Sequence, residues 1–109
     1  MSNIADPNVN RQGSVTTSLG NVDYSITALS GISQLLVPAA TRPRKRLIIK
    51  NGAAPCGVNL LGGTAVLGGA GTVTLQAYEG MVFTGDDCPQ GAITVIGTIA
   101  NYITAFTGI

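Results

Sequence analysis

The sequence predicts an all-β fold, a small β-sandwich or jelly-roll-like barrel of seven or eight short strands with an extended N-terminal arm. Three observations lead there. Runs of β-branched and aromatic residues alternate with polar ones at a period of two, most plainly over residues 22–27 and 72–78. Clusters of Gly, Pro and Asn punctuate the runs at residues 38–44, 51–55, 62–71 and 85–91. No segment carries a convincing helical period. At 109 residues the chain has room for one domain and an arm.

Each element follows from its residues. Residues 1–13 are polar and turn-rich, with Asp6-Pro7-Asn8 and Arg11-Gln12-Gly13, and read as an arm whose order depends on neighbours. Over residues 22–27, Val22, Tyr24 and Ile26 share one face of a strand. A shorter strand at residues 33–37 is stopped by Pro38. Arg46 to Lys50 is a strand with Leu47 and Ile49 on one face, and Asn51-Gly52 turns it. Residues 58–60 form the next strand, ended by Gly62-Gly63. Residues 72–78 put Val73, Leu75 and Ala77 on one side. Glu79-Gly80 then turns into a strand at 81–84. Strands at 93–96 and 102–107 close the chain across a turn at 97–101. Leu47, Ile49, Val73, Leu75, Phe83 and Val95 are the candidate core. The expected organisation is an arm with leading strands over residues 1–37 and a β-sandwich over 38–109.

Composition bounds the function. Charged residues are 10% of the chain, against about 25% in ordinary soluble domains. Mean hydropathy is +0.37. Several strands (residues 47–49, 81–83 and 93–96) are apolar on both faces, whereas a solvated antiparallel sheet alternates. The second faces are therefore expected to meet neighbouring subunits. The chain contains no His, so it holds no Ser-His-Asp triad and no His-ligated metal. The net charge of +1 argues against a strongly electrostatic partner. The N-terminus lacks a basic region followed by an apolar run, so no signal peptide is expected. Residues 88–109 are uncharged but hold Pro89, Gln90, Asn101, four Thr and three Gly, which suits two strands and a turn rather than a membrane span.

The remaining candidates for chemistry are few. Arg42, Arg44, Lys45 and Arg46 form the one charge run, read as a solvated loop or as a docking patch for an acidic protein surface. The few aromatics show no arrangement for stacking bases, so nucleic acid is not expected. The five glycines of residues 62–71 match neither phosphate-binding spacing and read as a flexible β–β connection, a surface protrusion. Asp86-Asp87 is short of ligands for calcium and reads as a solvated turn. Glu79 has no carboxylate partner in sequence. Cys56 and Cys88 both fall next to Pro in loops. They bridge only if their Cα atoms approach to about 4.4–6.8 Å, and reduced thiols are the starting expectation. No catalytic residue, cofactor or metal is expected.

One resemblance bears on function. Arg46-Leu47-Ile48-Ile49-Lys50-Asn51 precedes a Gly/Pro turn, then Val58-Asn59-Leu60 and Gly62-Gly63-Thr64-Ala65. Later come Glu79-Gly80 and Cys88-Pro89-Gln90-Gly91-Ala92-Ile93. Over residues 41 to 108 this resembles small all-β virion proteins of tailed bacteriophages, in particular head decoration (cement) proteins. The resemblance implies a non-enzymatic structural protein on the capsid surface, made in the bacterial cytoplasm. It implies non-covalent bridging of major capsid protein subunits and a symmetric homo-oligomer, with a trimer favoured. It marks strands and turns and carries over no functional residue. Two rival readings are a tail, neck or fibre component and a carbohydrate- or receptor-binding β-sandwich module. The latter would draw on Tyr24, Tyr78, Tyr102, Phe83 and Phe106.

Overall fold

The computed structural model describes residues 21–109, and the predicted arm at 1–13 lies outside them. The strands are β1 (Val22–Asp23), β2 (Gln34–Val37), β3 (Arg46–Asn51), β4 (Cys56–Asn59), β5 (Val73–Leu75), β6 (Gly80–Thr84), β7 (Ile93–Gly97) and β8 (Ile103–Gly108). They form two four-stranded sheets, β1-β8-β3-β6 and β2-β7-β4-β5. All pairings are antiparallel. Strand 1 pairs with 8, 2 with 7, 3 with 6 and 4 with 5, which is the order of a jelly roll. Every connection crosses from one sheet to the other except β4–β5, which stays within the second. The all-β sandwich read from the sequence is therefore the fold.

The core lies between the sheets. On β3, Leu47, Ile49 and Asn51 point inward while Arg46, Ile48 and Lys50 point out. The registers place Leu47 between Phe83 and Thr107, and Ile49 between Met81 and Ala105. Val58, Ile93 and Val95 face them from the second sheet, fully buried.

Four readings need correction. The strand expected at residues 72–78 shrinks to Val73–Leu75, because side chains capture the backbone beyond it. Asn51 Nδ2 donates to the carbonyls of Leu75 (3.1 Å) and Gln76 (2.9 Å), and Gln76 N–H donates to Glu79 Oε1 at 2.6 Å. Tyr78 completes this turn in the left-handed region, at φ 64°. Val73 lies on an edge strand, is 42% exposed, and is not core. Cys56 begins β4 and is not in a loop. Residues 22–37 supply an edge strand to each sheet.

Residues 22–27 keep only part of their expected strand. Ser25 N–H donates to Asp23 Oδ1 at 2.9 Å, while Ala105 N–H donates to Ser25 Oγ at 3.0 Å. Tyr24 N–H still donates to Ala105 O at 2.7 Å, but the return bond from Ala105 N–H goes to the Ser25 hydroxyl, a competition with the backbone to which Ser is suited. Pairing resumes at an isolated bridge from Ile26 to Ile103.

The fourth correction concerns residues 62–71, which are not a free protrusion. The β4–β5 connection folds back over the outer face of the second sheet. Thr94 Oγ1 donates to Gly63 O at 2.5 Å, Asn59 Nδ2 to Thr64 O at 3.4 Å, and Ala65 N–H to Ser33 Oγ at 2.9 Å. Ala65 is buried as a result. Gly57 makes the close approach feasible, since a Cβ there would sit 2.7 Å from Thr72 Cγ2.

Candidate functional site

The basic run splits in two. Arg42, Lys45 and Arg46 are exposed, whereas Arg44 is 3% exposed. Its guanidinium donates to Pro89 O (2.6 Å) and Gly91 O (3.3 Å) through Nη1, and to Pro38 O (2.8 Å) through Nη2. Gln90 completes the joint. Its Oε1 accepts from Arg44 N–H and its Nε2 donates to Arg44 O, each at 2.7 Å. Arg44 is thus a staple between the β2–β3 and β6–β7 connections, and its guanidinium is not presented to a partner. In the sequence the four cations form one run, because charge is visible there and burial is not. The role of Cys88-Pro89-Gln90-Gly91, to offer carbonyls to Arg44, exists only once the two connections meet.

The other end of the sandwich has an amide counterpart. Asn51 Nδ2 and Asn101 Nδ2 both donate to Ala54 O, at 2.7 and 3.1 Å, and Ala53 N–H donates to Asn101 Oδ1 at 3.1 Å. Both asparagines are buried. Their bonds join the β3–β4, β5–β6 and β7–β8 connections. Exposed Tyr78 and Tyr102 adjoin this end at Gly52, and Tyr24 is packed partly against the core.

The exposed cations frame an apolar row. Across the outer face of the first sheet, register puts Val82, Ile48 and Phe106 side by side, with Asp23 next to Phe106. Val82 is 66% exposed, and Ile48 and Phe106 are half-buried. Arg46 and Lys50 flank the row on the same face of β3. Apart from this row, a cavity of about 370 Å³ opens between Val22, Tyr24, Ala39, Arg42, Arg44 and Ile109.

Among the described residues, charge is confined to one sheet and its connections. Among the described residues, the cations all lie on β3 or the segment leading into it, at residues 42–50. The carboxylates lie on or beside the edge strands of the same sheet, with Asp23 on β1 and Glu79, Asp86 and Asp87 flanking β6. The second sheet and residues 60–72 covering it carry none. Four apolar side chains stand out of that uncharged layer: Leu35 (54% exposed), Leu61 (85%), Val66 (53%) and Leu67 (50%).

Cys56 and Cys88 are free thiols, both buried. Burial pushes the Cys56 thiol up to about 11. Cys88 is also raised by burial, opposed by the positive charge of Arg44. A raised thiol pKa means that the folded state prefers the neutral form. This contribution to stability is complete below the ordinary value of 9.0 and is lost as pH climbs toward about 11. Two results are expected. A thiol reagent at about pH 8 labels neither cysteine until the protein is unfolded. Denaturant midpoints fall between about pH 8 and about pH 10.5, and the fall is smaller in Cys56→Ala. An identical fall in both proteins would assign the alkaline loss to other groups.

Asp86 and Asp87 lie exposed in a short 3-10 turn, Gly85–Asp87. No group of three or more potential metal-ligating side chains occurs among the described residues. No helix among them is long and apolar enough to cross a membrane. Compared with known proteins, the chain matches no family model, no curated protein and no solved structure.

Proposed function

We propose that this chain is a structural protein of a bacteriophage virion, a decoration protein that docks on the capsid surface and bridges major capsid protein subunits without covalent chemistry. The observation that carries the reading is the outer face of the first sheet. There the apolar row Val82–Ile48–Phe106 runs between Arg46 and Lys50. An apolar centre with a charged rim is the anatomy of a protein–protein contact. The cations of this rim suit carboxylates on the partner and set the register of docking. The sandwich needs no moving part for this task, because the row is held on three hydrogen-bonded strands. The jelly-roll order adds support by analogy, since viral capsid and lectin domains share it.

The test is reconstitution with heads assembled from the accompanying major capsid protein. The chain should co-sediment with heads, less strongly as salt is raised, since rim charges are screened. Ile48→Asp should weaken binding by roughly 30-fold or more, the scale of a lost central contact. Lys50→Glu should reduce it less and flatten the salt dependence. Failure of the wild-type chain to bind heads, with binding to tails instead, would move it to a tail, neck or fibre position. Binding to neither would end the virion reading.

A further inference from the structure

We propose that the uncharged layer of this molecule is where copies of the chain meet one another. The layer is the outer face of β2-β7-β4-β5 together with residues 60–72 packed across it. The proposal does not require the virion reading, and it uses the opposite side of the sandwich from the docking row.

Two independent features point to this side. The first is the apolar display of Leu35, Leu61, Val66 and Leu67, all at least half exposed. Single exposed aliphatics are ordinary, but four on one layer with no charge among them mark an interaction surface. The packing of residues 60–72 is what places three of them there. Hydrogen bonds from Thr94, Asn59 and Ala65 hold that segment against the sheet, so the side chains are presented from an ordered backbone. A partner then meets a preformed surface and loses less entropy in ordering it.

The second feature is the treatment of the sheet edges. An open edge strand invites pairing with another chain, and proteins guard it with charge. The edges of the first sheet are guarded in this way, by Asp23 on β1 and by Glu79 and Asp86-Asp87 around β6. The edges of the second sheet, β2 and β5, have no charge at all. Among the described residues, then, one sheet has charge-guarded edges and the other has none, and the unguarded sheet is the one expected to be covered.

Charge decides the occupant. A partner bringing ionised groups to this layer would strip their hydration and offer them no counter-charge. The matching surface is therefore uncharged and apolar, and another copy of this chain supplies one. When two such layers meet, every charged residue among those described stays on the far sheets, where it keeps its water. Like-charge repulsion between copies, which would arise if the sheets carrying residues 42–50 met, is absent. Self-complementary contacts of this kind are the usual basis of symmetric oligomers.

Light scattering across a dilution series tests the proposal. The wild-type chain should give a multiple of 11.0 kDa at micromolar concentration. Leu61→Asp combined with Leu67→Asp should weaken association roughly 100-fold or more and give the single-chain mass. Val66→Lys should act in the same direction. All three side chains are at least half exposed in one chain, so far-UV circular dichroism should not change. Val82→Asp, on the opposite sheet, should leave the mass unaltered. The proposal is overturned if the wild-type chain is a monomer at ~100 µM, far above ordinary interface affinities. It is equally overturned if the Leu61/Leu67 variant keeps the wild-type mass, or if Val82→Asp alone dissociates the assembly. Head binding by a protein that proves monomeric would leave the virion reading standing while removing this one.

Discussion

Arg44→Ala should lower the free energy of unfolding by about 3 kcal/mol or more, while Arg42→Ala and Lys45→Ala each change it by less than about 0.5 kcal/mol. The four basic residues look equivalent in the sequence, but they are not equivalent in the fold. The Arg44 guanidinium satisfies the carbonyls of Pro38, Pro89 and Gly91. Removing it leaves those acceptors without their donor in a partly buried joint, at up to about 1–3 kcal/mol for each group that water cannot reach. Arg44→Met separates volume from hydrogen bonding, because it refills much of the space and restores no donor. It should remain well below wild type. Arg44→Lys should rescue only part of the loss, since an ammonium cannot span carbonyls arranged for a planar fork. Urea unfolding with constant m-values provides the measurement. An Arg44→Ala midpoint equal to that of wild type would show that the two connections are held by Gln90 alone.

Leu47→Ala should cost about 2–5 kcal/mol, and Val73→Ala less than about 1 kcal/mol. Leu47 is fully buried on β3, a strand paired on both sides. Its neighbours in register, Phe83 and Thr107, are anchored on separate strands and cannot close in to fill the space it leaves. Val73 occupies the end of a three-residue edge strand and is already 42% exposed, so water takes the place of a lost methyl. The two aliphatics fit the same alternating pattern in sequence. Their ratio in a chemical melt measures what position in the sheet adds to hydrophobicity. Equal losses would place β5 deeper in the sandwich than described above.

Much of the fold was legible because strand alternation is local. Leu47 and Ile49, Leu75, Phe83 and Val95 each announce an inward face through their spacing, and the turn residues between them mark the ends. Alternation failed where a distant side chain competed for the backbone. Nothing within residues 72–78 says that Asn51, more than twenty positions earlier, will take the carbonyls of Leu75 and Gln76 and end the strand there. The docking row was half legible. The two-sided apolar character of residues 47–49 and 81–83 was visible, but the alignment of Val82, Ile48 and Phe106 needed the register of three strands.

The uncharged layer shows the same division. The long charge-free stretches at residues 24–41, 51–78 and 88–109 stand in the sequence for any reader, and they alone establish that much of the molecule has no ionic surface. Composition, strand content and the absence of histidine are likewise properties of the chain itself, because they depend on each residue and its near neighbours. The jelly-roll order gathered β2, β4, β5 and β7, which come from those stretches, into one sheet, and it left nearly all the charge with the other, beside the uncharged β8. It turned Arg44 inward and drew the glycine-rich segment across the face of β2-β7-β4-β5. These outcomes depend on which strands become neighbours, and that is decided by burial and hydrogen bonding between residues tens of positions apart.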